Sequence, residues 1–167
     1  MLTIYWIKIV IVYQSEYHVT LDDKNRILIP ASLKSIMTDN NHTIWYLTRG
    51  FENNLLLFPS QVWKEITDKL EQLPVLNPRA QLLRRRFIGG SIRVSPDGQY
   101  RITIPAPFRN WAEIMDNAVI AGCGMYLEIW NEKLWDDFFR NDHLQLDMKN
   151  FMEELFPIIN KNENLPL

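Results

Sequence analysis

Two stretches of the chain set an aspartate and an arginine four positions apart, Asp22-Asp23-Lys24-Asn25-Arg26 and Asp97-Gly98-Gln99-Tyr100-Arg101. Asp, Asn and Gly favour a tight turn, and an aspartate at its mouth can accept hydrogen bonds from the backbone N–H groups that follow. Asp22 and Asp97 are therefore turn-structuring candidates. The arginine has two courses. It can bridge back to the carboxylate, a structural role, or project a forked guanidinium suited to phosphate or to guanine O6/N7. The two roles can also be shared, with the aspartate structural and the arginine functional. No Ser/His/Asp order, Gly-rich phosphate loop or paired catalytic carboxylates accompany these turns, and Asp22 and Asp23, being adjacent, face opposite ways. His18, His42 and His143 are far apart and not in metal spacing. An enzyme reading has no anchor, and no metal or cofactor is expected.

The elements that must position the turns are themselves duplicated. Asp22, Arg26, Ile27, Ile29 and Pro30-Ala31 recur 75 residues later as Asp97, Arg101, Ile102, Ile104 and Pro105-Ala106. Gly50, Leu55, Leu57, Phe58 and Trp63 recur at an offset of 72 as Gly122, Leu127, Ile129, Trp130 and Trp135. So short a repeat cannot bury much surface alone, and the copies should pack on each other or on neighbours. Composition and periodicity predict strands over 16–22 and 26–29, a helix over 31–37, strands over 43–48 and 54–58, and an amphipathic helix from Pro59 to about 73. A helix over 79–87 closed by Gly89-Gly90 follows. The second copy predicts strands 91–95 and 101–104, helix 105–112, strands near 117–121 and 125–130, and helix 131–140. A last amphipathic helix is predicted over 146–156. The pattern per copy is β-turn-β-α-β-β-α, an α+β class. The expected division is an extension over 1–13, repeats over 14–74 and 91–142 joined by a linker helix in 75–90, and a helix and tail over 143–167.

The chain of 167 residues carries a net charge of −2, so total charge does not advertise a nucleic-acid partner. Its distribution is uneven: residues 1–127 hold 14 basic against 11 acidic side chains, and residues 128–167 hold 4 against 9. A mildly basic body beside an acidic tail can still present one positive face. A lone Cys123 fits a reducing cytosol. No tract is long enough to span a bilayer. The run Arg84-Arg85-Arg86 reads as a solvated helix face with one arginine bridging to acids, ahead of a binding patch. Trp63, Trp111, Trp130 and Trp135 fall at apolar positions, where core packing is the default.

The residues Glu16-Tyr17-His18-x-x-Leu21-Asp22-Asp23-Lys24-x-Arg26-x-x-Ile29-Pro30, Thr48-Arg49-Gly50-Phe51-Glu52-Asn53, Leu55-x-Leu57-Phe58-Pro59, Phe87-x-Gly89-Gly90, Asp97-x-x-x-Arg101-x-x-Ile104-Pro105 and Glu128-Ile129-Trp130 closely resemble the MraZ family over about residues 15–140. The resemblance implies two AbrB-like, swapped-hairpin (double-split β-α-β) units forming one pseudo-symmetric domain. It implies a bacterial, cytoplasmic, nucleoid-associated transcription regulator acting at the promoter of a division and cell-wall gene cluster. It further implies a ring-shaped homo-oligomer on short direct repeats of double-stranded DNA, with no membrane or small-molecule substrate. By the same resemblance Lys24, Asn25 and Arg26 face DNA, with Gln99 and Arg101 in the second copy. The alternative is a family member that assembles but acts through a protein partner.

The chain departs from the family in having Asn25 and Tyr100 where glycine usually precedes each turn arginine. Tyr tolerates the left-handed conformation poorly. A second turn of different shape, and weaker DNA contact by Arg101 than by Arg26, are therefore expected. Residues 1–13 precede the first motif, have no counterpart in the second copy, and are expected to be dispensable.

Overall fold

The computed structural model of the chain describes residues 12–155, with side chains as far as Met152. Two compact units divide the sequence between Glu132 and Lys133. The first contains β1 Glu16–Thr20, β2 Arg26–Leu28, α1 Ala31–Asp39, β3 Trp45–Arg49, β4 Asn54–Pro59, α2 Ser60–Glu71 and α3 Pro78–Phe87. It continues with β5 Ile92–Val94, β6 Arg101–Thr103, α4 Ala106–Trp111, β7 Asn117–Gly122 and β8 Leu127–Asn131. Helices α5 Glu132–Phe139 and α6 Asp142–Leu155 complete the described chain. The class is mixed α+β, with antiparallel strand pairing.

The duplication governs the topology. Six strands form one sheet in the order β1-β7-β8-β4-β3-β5, and β2 pairs with β6 in a separate ribbon. Since β5–β8 repeat β1–β4, this order reads the same when the copies are exchanged. Each copy's first strand leaves its own third strand and pairs with the other's, β1 on β7 and β5 on β3. Interleaving answers the problem of small repeats, because neither copy could close a core by itself. Ile27, Ile29, Leu47, Leu55 and Leu57 from the first copy share one buried cluster with Ile102, Ile104, Ile120, Leu127 and Ile129 from the second.

Prolines start several helices. Pro30, Pro59 and Pro105 lie at the N-terminal caps of α1, α2 and α4 with φ of −55°, −57° and −64°, and none of these caps uses a side-chain hydrogen bond. Helix α3 begins one residue earlier than expected, since Pro78 occupies its first turn and the Asn77 side chain accepts the N–H groups of Arg79 and Ala80 at 2.9 and 3.2 Å. Helix α6 starts at Asp142 instead of 146 because the Asn141 side chain caps it, accepting the Leu144 N–H at 3.2 Å. Gly89 and Gly90 do not use left-handed geometry to close α3, as Gly124 is the one glycine at positive φ among the described residues.

Three further expectations need correction. Tyr13, placed in the extension, belongs to the core: it is 1% exposed, exchanges backbone hydrogen bonds with Gly124 at 2.7 and 2.9 Å, and its hydroxyl meets His42 Nδ1 at 2.6 Å. The matched Gly122 admits this segment, since a Cβ there would lie 2.3 Å from the Gln14 nitrogen. Residues 1–11 lie outside the described residues. Among the described residues, the arginine run does not bridge to acids either. Arg86 donates to the Gly50 carbonyl, and Arg84 to the carbonyls of Leu73 and Glu71. Of the four tryptophans, Trp63 and Trp130 are buried, whereas Trp111 and Trp135 are half-buried.

Candidate nucleic-acid interface

The two turns have the same hydrogen-bond frame, bond for bond. In the first, Asp22 N–H donates to Arg26 O at 3.0 Å and Asn25 N–H to Asp22 O at 2.9 Å. In the second, Asp97 N–H donates to Arg101 O at 2.9 Å and Tyr100 N–H to Asp97 O at 2.8 Å. Each aspartate turns one carboxylate oxygen to the backbone. Asp22 Oδ1 accepts Lys24 N–H and Arg26 N–H at 2.9 Å each, and Asp97 Oδ1 accepts Gln99 N–H at 2.9 Å and Arg101 N–H at 3.0 Å.

The other oxygen holds the arginine. Arg26 Nε and Nη2 lie 2.8 and 2.7 Å from Asp22 Oδ2, and Arg101 Nε and Nη2 both lie 2.8 Å from Asp97 Oδ2. The remaining nitrogens cross between copies: Arg26 Nη1 is 3.5 Å from Asp97 Oδ2 and Arg101 Nη1 is 4.0 Å from Asp22 Oδ2. Four charges from two distant turns thus form one network. The β2–β6 ribbon brings them together, pairing Arg26 with Thr103, Ile27 with Ile102 and Leu28 with Arg101. Strand alternation does the positioning: Ile27 and Ile102 point into the core at 0% exposure, which puts the arginines on the other face. Each ribbon end is tied to the opposite turn, Ile29 N–H to Tyr100 O at 2.9 Å and Ile104 N–H to Asn25 O at 3.0 Å.

The electrostatics follow. The Arg26 side chain, then the backbone N–H groups of Arg26 and Lys24, pull the Asp22 carboxyl down to about 2. Hydrogen bonding to Asp22 raises Arg26. Asp97 is lowered as well, first by the Arg101 backbone N–H and then by those of Gln99 and the Arg101 side chain. Lys24 and Gln99 stand exposed at equivalent tips.

The expected difference in turn shape is absent. Asn25 and Tyr100 both adopt the left-handed conformation, with φ of 58° and 57°. Tyrosine is held there by contacts that its spacing in the sequence does not reveal. Its hydroxyl lies 3.1 Å from Thr38 Oγ1, and the Lys34 ammonium sits 4.2 Å above its ring. Helix α1 of the first copy therefore supports the turn of the second. Among the described residues no group of three or more His, Cys, Asp or Glu is arranged to hold a metal ion. Among the described residues no helix is long and apolar enough to cross a membrane.

Comparison with known proteins meets this duplicated geometry. The family model described as "MraZ protein, putative antitoxin-like" matches twice, over residues 12–86 and 87–156. The chain belongs to the MraZ family. A relative from Herpetosiphon aurantiacus, named transcriptional regulator MraZ, is 37% identical over 74% of this chain and 83% of its own length. MraZ relatives of the same name from Roseiflexus castenholzii and Alkaliphilus oremlandii are 36% and 35% identical, covering 75% and 84% of this chain and 85% and 96% of their own. Each of the two family matches contains one of the paired Asp-x-x-x-Arg turns.

Proposed function

We propose that this chain is a transcription regulator that binds double-stranded DNA sequence-specifically through its paired turns. It acts at the promoter of a division and cell-wall gene cluster, as a ring-like homo-oligomer whose subunits engage successive direct repeats. Its two interleaved copies are of the AbrB-like, swapped-hairpin kind. The observation that carries the reading is the shared Asp22–Arg26–Asp97–Arg101 network, which makes two distant turns one rigid, preorganised surface. Preorganisation lowers the ordering cost of binding. The relatives' common name, transcriptional regulator, supports the class.

The residues divide the work. Asp22 and Asp97 hold the turn backbone and aim the arginines. Arg26 and Arg101 lock both turns into one face and offer the outer edge of each guanidinium to the phosphate backbone or a guanine edge. Lys24 contacts phosphate, and Gln99 at the equivalent tip reads a base edge, adenine being the natural partner of a bidentate amide. Asn25 supplies the left-handed turn residue. Net acidity weakens each subunit's grip, and a ring offsets this by presenting many contacts at once.

The test is a gel shift on the DNA upstream of the chain's own gene, at one stated salt concentration, with oligomeric size checked by light scattering. Arg26→Ala and Arg101→Ala are both expected to lose specific binding, each to a similar degree, because each arginine supports both turns. Lys24→Ala is expected to weaken all sequences and to lower the salt slope by about one. Equal behaviour of the parent and both arginine variants on operator and random DNA would refute the reading.

A further inference from the structure

We propose that the groove between α3 and the C-terminal end of β3 is a binding site for a phosphate monoester attached to a planar ring, a nucleoside monophosphate in size and charge. The groove, about 250 Å³ in volume, is lined by Arg49, Leu82, Arg85, Arg86, Gly90 and Trp111. It is distinct from the paired turns. Trp45, at the start of β3, pairs with Val94 just before the second turn. Arg49 ends the strand at Trp45–Arg49, so it lies four steps of roughly 3.3 Å away from that end.

Three arginines converge here. Among the described residues no carboxylate is within salt-bridge distance of Arg49, Arg85 or Arg86, in a protein whose net charge is −2. Two of the three are already ordered. The Arg86 guanidinium lies between the rings of Phe51 and Trp111, at 5.0 and 5.2 Å from their centroids, and donates to Gly50 O. Arg49 lies over Phe108 at 4.9 Å. Aromatic faces fix such cations before a ligand arrives, so less entropy is lost on binding. The buried Arg86 Nε has no hydrogen-bond partner among the described residues, a donor left over beside the groove.

The segment Thr48-Arg49-Gly50-Phe51 has no part in the turn network, and the groove accounts for it. Thr48 Oγ1 donates to Arg86 O at 3.2 Å, the Gly50 carbonyl receives Arg86, and Phe51 stacks on it. The segment thus acts as a clamp that sets the arginine. Trp111 is pinned by its own N–H, which donates to Asn54 O at 3.2 Å. Gly90 leaves space where a Cβ would lie 2.4 Å from Arg86 O. Forked guanidinium donors suit a phosphoryl group. Leu82, 63% exposed, and the indole of Trp111 offer apolar surface to a flat ring. A phosphate alone would leave that surface unused, and an uncharged nucleoside would leave the arginines unpaired.

Calorimetric titration of the full chain with adenosine 5′-monophosphate, adenosine, inorganic phosphate and a non-operator DNA duplex tests the site. The monophosphate is expected to bind at least about tenfold more tightly than adenosine or phosphate, the scale of one charge-assisted contact. The double variant Arg49→Ala/Arg85→Ala is expected to lose about tenfold or more in affinity for the monophosphate with its thermal midpoint unchanged. Leu82→Glu, at an exposed rim position, brings a carboxylate to the arginines and is expected to act likewise; it decides the matter if the double variant melts early. Monophosphate binding no tighter than that of adenosine, or unaltered by Leu82→Glu, would overturn the proposal. So would variants that lose affinity for the duplex while the monophosphate does not bind the parent, which would assign the groove to DNA backbone.

Discussion

Three of the five residues differ between the first turn and the second: Asp23 against Gly98, Lys24 against Gln99, Asn25 against Tyr100. The backbone hydrogen bonds nevertheless agree to within about a tenth of an ångström, and the left-handed residue has φ of 58° in one and 57° in the other. What the turns retain is the aspartate that takes two backbone N–H groups and the arginine that closes on it. Those bonds set the shape, and the residue between them conforms. The cost at Tyr100 is offset from outside the turn, by Thr38 and Lys34 of α1. The copies differ more at their N-terminal ends. Tyr13 enters the core ahead of β1, whereas its positional counterpart ahead of β5, Ile88, is 39% exposed.

The largest expected effect probes that last difference. A chain starting at Gln14 loses the Tyr13 ring, its contacts with Trp45 and His42 and its pairing with Gly124. Loss of a buried aromatic should destabilise the fold by about 3–5 kcal/mol, read from chemical denaturation. A truncated chain as stable as the parent would return Tyr13 to a dispensable extension.

Next come the isoleucines beneath the turns. Ile27 and Ile102 face each other across the ribbon at 0% exposure. Ile27→Ala and Ile102→Ala should each cost about 2–5 kcal/mol, and by similar amounts. Their effects should not add in the double variant, since the two side chains share one site. Unequal single losses would break the equivalence of the two copies.

A smaller effect separates turn residues from turn frame. At a left-handed position alanine is strained and glycine is not. Asn25→Gly should therefore be more stable than Asn25→Ala by about 1 kcal/mol, and Tyr100→Gly more stable than Tyr100→Ala by the same margin. Thermal melts of the four variants measure both gaps. A gap confined to position 100 would mean that the two turns are not alike.

The smallest effect is in acid. A carboxyl whose folded pKa is depressed contributes stability that is present above its unfolded value and lost as pH falls through the folded one. For Asp22 that window runs from about 3.8 down to about 2. Asp97 is depressed too and should lose its contribution as pH falls below the ordinary carboxylate range. Stability of the parent should fall more steeply over this window than that of Asp22→Asn, and Asp97→Asn should flatten the curve as well. Parallel curves for parent and variants would show that the network is not linked to folding.

Much of the first unit was legible without coordinates because it rests on local forces. The duplication, the helices behind Pro30, Pro59 and Pro105, the strands on each side of the turns and the structural use of Asp22 and Asp97 all arise from contacts between residues a few positions apart. Propensity, periodicity and short-range hydrogen bonds record such contacts directly in residue order. The aspartate-to-arginine bridge was also open to this reasoning, as one of two courses for each guanidinium.

Tertiary structure decided everything that joins one copy to the other. No spacing rule says that β1 pairs with β7 instead of β3, that Arg26 meets Asp97 across 71 positions, or that Arg86 finds the carbonyl of Gly50. Tyr100 looked unfit for its turn because the helix that supports it lies some 60 residues earlier, and Tyr13 looked dispensable because its partners lie beyond position 40. The physical reason is common to these cases. Residue types and local order set which bonds each segment can make, but which distant partner satisfies them depends on how two incomplete cores close on one another, and that is settled only when the whole first unit packs.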